Sequence, residues 1–244
     1  MKKMIIVLFL LCFIAMPICK AEFNETSIIS KSVKYYKTIT YKPKNSSDNS
    51  VAVSYTYEVD KKEYDSSNKK IESKNSATVE TNYKKMTTSI TKNGNYYRFK
   101  NVLHWKSIPS TRSYDIIGIG HYQSVAIYGT THFNQEYCFN SGACYNSTTN
   151  YPQIFSSGAG TSFQLPSGSL SSLDQTFYFD VQKNTSATIT TLKAVGDYSH
   201  ATSSISLENS KKYTINISGI SLDNSISGYY DSITSSTVTQ NVSW

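Results

Sequence analysis

Apolar side chains recur at every second position on both sides of the dipeptide Asn93-Gly94. Met86 and Ile90 precede it, and Tyr97, Phe99, Leu103 and Trp105 follow on the matching face. Lys85, Thr87, Ser89, Arg98, Lys100, His104 and Lys106 take the other face. A period of two puts alternate side chains on opposite sides of an extended chain, so the pattern specifies a half-buried β-hairpin and excludes an amphipathic helix. Asn-Gly suits a two-residue turn because both positions need positive φ. With that turn Ile90 is expected opposite Tyr97, Thr88 opposite Phe99 and Met86 opposite Asn101. Residues 51–59 repeat the rhythm, with Val51, Val53, Tyr55, Tyr57 and Val59 expected on the buried side.

The pattern continues to the C-terminus. In residues 114–128, Ile117, Ile119, His121, Val125 and Ile127 share one parity and Gly118 and Gly120 lie on the other. Alternating glycines on one face permit a close backbone approach, and His121 among isoleucines is expected to be a buried, hydrogen-bonded structural residue. Phe177, Phe179 and Val181 alternate with polar partners, as do Tyr213, Ile215 and Ile217. Residues 61–76, nearly all Lys, Glu, Asp, Ser and Asn, are expected to form an exposed loop. Residues 140–172, rich in Gly, Ser, Asn and Pro, are expected to be the longest irregular region, with a short turn near 169–173. Twenty Tyr and abundant Ser and Thr favour strands. The fold class is therefore all-β, an antiparallel β-sandwich, either one sandwich or two stacked ones with a division near 107–113.

The first residues predict the compartment. Met1-Lys2-Lys3, an apolar run from Met4 to Ile18 and then Cys19-Lys20-Ala21 match a secretory signal peptide over 1–21, leaving a secreted β-rich region over 22–244. No second apolar run follows, so the mature chain is expected to lack an integral membrane segment. Cys138 and Cys144, with Asn140, Ser141 and Gly142 between them, are expected to form one local disulfide, as exported chains permit. Charge is uneven: 17 Lys and Arg against 9 Asp and Glu give +8 over residues 22–112, whereas 4 against 8 give −4 over 113–244. A basic half in an exported protein points to a cell-surface, glycan or anionic polymer ligand, not nucleic acid. Arg98, Lys100, His104 and Lys106 form the candidate binding face.

Signals for catalysis are sparse. His104, His121, His132 and His200 are isolated in sequence, and no His-Glu-x-x-His or Gly-x-Ser-x-Gly motif occurs. Asp115, His121 and His132 could converge across adjacent strands, and acid pairs could be drawn from Asp174, Asp180 and Asp197. No catalytic residue, metal ligand or cofactor site is assigned. Two stretches, Trp105-Lys-Ser-Ile-Pro-Ser-Thr-Arg-Ser-Tyr-Asp-Ile-Ile-Gly-Ile119 and Thr191-Leu-Lys-Ala-Val-Gly-Asp-Tyr-Ser-His-Ala-Thr-Ser-Ser-Ile-Ser-Leu207, resemble small secreted proteins of low-GC Gram-positive bacteria. That resemblance implies a bacterial extracellular location and carries over no site residue. The leading expectation is a non-catalytic extracellular binding or adhesion module. The alternatives are a β-pore-forming toxin, whose membrane hairpin would come from residues 78–91, and a secreted hydrolase.

Overall fold

The computed structural model describes residues 28–44, 52–74, 77–127 and 129–244, so the signal expected over 1–21 lies outside the described residues. In chain order the strands are β1 (Ile28–Pro43), β2 (Val53–Val59), β3 (Lys70–Ser73), β4 (Ala77–Asn93), β5 (Tyr96–Trp105), β6 (Tyr114–Tyr122), β7 (Ser124–Ala126) and β8 (His132–Phe139). They continue with β9 (Cys144–Ser147), β10 (Tyr151–Phe155), β11 (Gly158–Gln164), β12 (Leu170–Lys183), β13 (Thr191–Ser199), β14 (Tyr213–Asn216), β15 (Gly219–Leu222) and β16 (Thr234–Asn241). Two short helices, α1 (Lys61–Ser66) and α2 (Leu207–Ser210), interrupt them.

The architecture is all-β. One sheet has the order β2-β1-β4-β5-β12-β8-β9, with β3 also on β4 and β7 also on β12; the other has the order β10-β11-β6-β13-β16. Both are antiparallel and neither closes into a barrel. Their inner faces share one core containing Met86, Ile90, Phe99, Leu103 and Trp105 from the first sheet and Ile117, Ile119, Phe163, Leu192 and Tyr198 from the second. Residues 107–113 carry the chain from one sheet to the other. Along one side the sheets meet through side chains: Ser30 Oγ donates to the Thr239 carbonyl at 3.0 Å, and the Tyr36 hydroxyl donates to the Ser235 carbonyl.

A third layer covers the second sheet. The β14–β15 ribbon lays Tyr213, Ile215 and Ile220 into a second core with Ile116, Ile205 and Tyr230. Gly118, Gly120, Gly158 and Gly160 form the floor beneath it. A Cβ on Gly120 would lie 2.1 Å from the Asn216 carbonyl oxygen, and one on Gly158 would lie 2.1 Å from the Ile215 side chain. Covered on both faces, β6 is buried from Asp115 to His121, which explains its unusually apolar sequence.

The hairpin face is as its alternation requires: Met86, Ile90, Tyr97, Phe99, Leu103 and Trp105 are all buried. The turn moves by one residue and the pairing register by two. Asn93 pairs with Tyr96 and Ile90 with Phe99, so Gly94, at φ +62°, and Asn95 make the turn. A shift of two preserves parity, so every side chain keeps its face.

Strand β2 reverses its expected faces. Val53, Tyr55 and Tyr57 are 52%, 51% and 51% exposed. The hydroxyls of Ser54 and Thr56 instead pair with those of Thr40 and Thr38, at 2.9 and 3.0 Å. Alternation separates the faces without saying which is wet, and here the satisfied hydroxyl pairs turn inward at the sheet edge. Residues 61–76 hold α1 and β3 where a loop is expected. Asp60 caps α1 by accepting from the Glu63 amide at 2.7 Å, and Tyr64 is buried against Tyr35 with ring centroids 4.8 Å apart. Residues 140–172 are likewise ordered as β9, β10, β11 and the start of β12, and residues 170–173 are strand rather than a turn.

Candidate functional site

Pairing across the first sheet builds a basic groove on its outer face. Lys31 of β1 lies opposite Ser89 of β4, Ser89 opposite Lys100 of β5, Lys100 opposite Tyr178 of β12, and Tyr178 opposite His132 of β8. The next row but one runs Tyr35, Lys85, His104, Asp174 and Glu136. Because Ser89 and Thr87 are short, the sheet surface sinks between the lysines. The result is a shallow depression of about 260 Å³ lined by Lys31, Lys85, Lys100, Ser89, His104 and Asp174, among others. Burial, reinforced by Arg98, holds the Lys100 ammonium below the usual lysine range, and Glu136 offsets this in part.

The candidate basic residues divide between two tasks. Arg98, Lys100 and His104 lie on this outer face. Arg98 grips Asp180 through two hydrogen bonds, 2.7 Å from Nε and 3.1 Å from Nη2, and stacks over the Tyr178 ring at 4.5 Å. His132 stacks on the same tyrosine at 4.8 Å. His104 Nδ1 sits 2.7 Å from Asp174. Lys106 points elsewhere: it donates to the Tyr64 and Asp65 carbonyls at the end of α1 and lies 5.0 Å from the Tyr64 ring centroid, so it holds the helix down. Lys31 enters the groove unannounced by any motif; only strand register places it there.

Asp115, His121 and His132 do not converge. Asp115 belongs to a sealed network linking both sheets, in which Lys84 Nζ lies 2.6 Å from Asp231 and both side chains are fully buried. The other Asp231 oxygen accepts the His200 amide at 2.7 Å, and His200 Nδ1 reaches Asp115 at 3.0 Å. Asp115 also accepts the Tyr198 hydroxyl and the Ala201 amide, and Trp105 Nε1 donates to the Tyr198 oxygen at 3.4 Å. Burial and the adjoining Asp115 carboxylate hold the Tyr198 phenol well above its ordinary range. With Asp115 at 0% exposure and His200 at 4%, the network is walled off from solvent. It joins β4, β5, β6 and β13 to residues 200–201 and 231.

Two further buried groups oppose each other in pH. Asp197 accepts the Ile220 amide at 2.6 Å through one oxygen, while the other has no partner among the described residues; burial pushes its carboxyl up to about 7. His121, held by Ser124 at 3.1 Å beside Phe99 and Phe179, is pulled down by burial to about 4. This is the buried histidine that the β6 pattern predicts. Between their ordinary and folded values, from about 4 to about 7, folded Asp197 keeps a proton that the unfolded chain releases, so its effect on stability falls as pH rises. From about 4 to 6.5 the unfolded chain binds a proton that folded His121 refuses, so its effect rises with pH. The slopes oppose. Asp197→Asn is therefore expected to make stability rise with pH across this window, and His121→Phe to make it fall, by urea unfolding at pH 4.5 and 6.5. Identical slopes in the two variants would contradict the assignment.

Cys138 and Cys144 face each other across the β8–β9 hairpin and form a disulfide. Asp174 and Asp180 serve His104 and Arg98 on the outer face, whereas Asp197 lies beneath the ribbon. Residues 78–91 run within β4 between β1 and β5. Among the described residues no helix is long and apolar enough to cross a membrane, and no three His, Cys, Asp or Glu side chains gather to hold a metal. No protein-family model matches this sequence, and neither does any curated protein.

Proposed function

We propose that the protein is an exported binding module that seats an anionic polymer, such as an acidic surface glycan, in the lysine groove of its first sheet. The observation that carries this reading is the convergence of Lys31, Lys85 and Lys100 around a floor of Ser89 and Thr87. Three ammonium groups lining one shallow depression attract a chain of negative charges more strongly than any single one. The tyrosine edge supports the same reading. Tyr55 and Tyr57 lie on that outer face, spaced roughly 7 Å apart along their strand, and offer flat rings with free rims on the scale of sugar units. Charged contacts at such an exposed groove weaken with salt.

The test is retention on immobilised polygalacturonate. The protein should bind at low salt and elute as ionic strength rises. Lys31→Glu with Lys85→Glu should weaken retention at least tenfold, corresponding to about 1.4 kcal/mol or more. Equal retention of parent and double variant would remove the groove from the function.

A further inference from the structure

Away from the groove, Arg112 has an unusual environment. Its Nε and Nη1 atoms are buried and have no hydrogen-bond partner among the described residues. Arginine keeps its charge in proteins, so a half-buried guanidinium with two unpartnered nitrogens calls for an anion or further acceptors. Two carboxylates lie near enough to act on it electrostatically, Asp115 and Glu80, and both are committed elsewhere. Asp115 accepts from Tyr198, His200 and the Ala201 amide. Glu80 accepts from the Ser110 amide at 2.8 Å and its hydroxyl, and pairs with Lys42 at 3.2 Å and Lys69 at 3.1 Å. Burial lowers the proton affinity of Arg112, partly offset by these two acids and Tyr198.

Arg112 lines a cavity of about 350 Å³ with Tyr114, Tyr137, Tyr151, Ser147 and Thr149 among its walls. The Cys138–Cys144 bridge clamps the hairpin that supplies Tyr137 and Ser147. Tyr137 is stacked on Tyr145 with centroids 5.8 Å apart, and Tyr114 meets Tyr151 edge-on at 6.4 Å, so each aromatic wall rests on a neighbouring ring. Aromatic faces with hydroxyls between them suit the C–H faces and hydroxyl groups of a sugar. A guanidinium suits a planar carboxylate.

We infer that this cavity is a binding site for a carboxylate-bearing sugar, with Arg112 holding the carboxylate and Tyr114, Tyr137 and Tyr151 the ring. The inference is independent of the lysine groove. Thermal unfolding and NMR titration with D-glucuronate, acetate and D-glucose test it. Glucuronate should raise the melting temperature of the parent and of the Lys31→Glu/Lys85→Glu variant alike, because a ligand that binds only the folded state stabilises it. It should also shift amide resonances around Tyr137 and Ser147. Glucose should do neither, and acetate should act at least tenfold more weakly. Arg112→Gln should abolish the glucuronate response while raising the melting temperature without ligand, because two buried nitrogens that lack hydrogen-bond partners among the described residues have been removed; Tyr151→Ala should keep the acetate response and lose the preference for glucuronate. Equal glucuronate shifts in parent and Arg112→Gln, or none in the parent, would overturn the site. Acetate equal to glucuronate would overturn the sugar and make a free carboxylate the ligand.

Discussion

Replacing Lys84 by methionine will destabilise the protein by about 3–5 kcal/mol, the usual result of stranding one member of a buried ion pair. Lys84 Nζ lies 2.6 Å from Asp231, with neither side chain touching solvent, and is 5.2 and 5.4 Å from the ring centroids of Trp105 and Tyr198. Methionine fills the space of the lysine stem. The loss therefore comes from the charge left on Asp231, together with the cation–ring attraction. Adding Asp231→Asn should recover more than half of the loss, because asparagine keeps an oxygen for the His200 amide without the charge. Urea unfolding of the parent, the single variants and the double variant measures the coupling directly. A single variant within 1 kcal/mol of the parent would mean that the pair does not hold the sheets together.

Gly120→Ala is expected to cost about 3 kcal/mol, toward the upper end for overpacking. The obstacle is backbone. The added methyl would sit 2.1 Å from the Asn216 carbonyl and 3.0 Å from the Gly219 nitrogen, and neither can rotate away as a side chain could. Either the ribbon lifts, uncovering Ile215 and Ile220, or β6 bends. Gly94→Ala offers a useful contrast. Nothing lies within 4 Å of a Cβ there, so only its φ of +62° is penalised, by about 1 kcal/mol. Hydrogen exchange should show residues 213–222 losing protection in Gly120→Ala and keeping it in Gly94→Ala.

The parts of this fold legible in the sequence are those set by parity. The inward set from Met86 to Trp105, the close approach over Gly118 and Gly120, the buried His121 and the local Cys138–Cys144 bridge all follow from neighbours along the chain. Faces that depend on a partner strand do not. Tyr55 and Tyr57 alternate as a buried strand would, yet the edge position of β2 and the Thr38–Thr56 hydroxyl pair turn them outward. The helix at 61–66 did carry a local signal, since Asp60 and Glu63 have capping-box spacing, but six residues are too few for a hydrophobic period to emerge. The groove was half visible. Lys85, Lys100 and His104 sit on one hairpin, while Lys31 joins them only through β1–β4 pairing over some sixty residues. The Lys84–Asp231 pair is separated by 147 residues and could not be read from either end.

The groove can be tested most directly by recording amide spectra of the folded protein while adding short polygalacturonate fragments at low salt. Resonances of Lys31, Lys85, Ser89 and Lys100 should move together, saturate, and return as salt is added. Saturable shifts that leave those four residues unmoved would place the polymer elsewhere and contradict the function proposed for the first sheet.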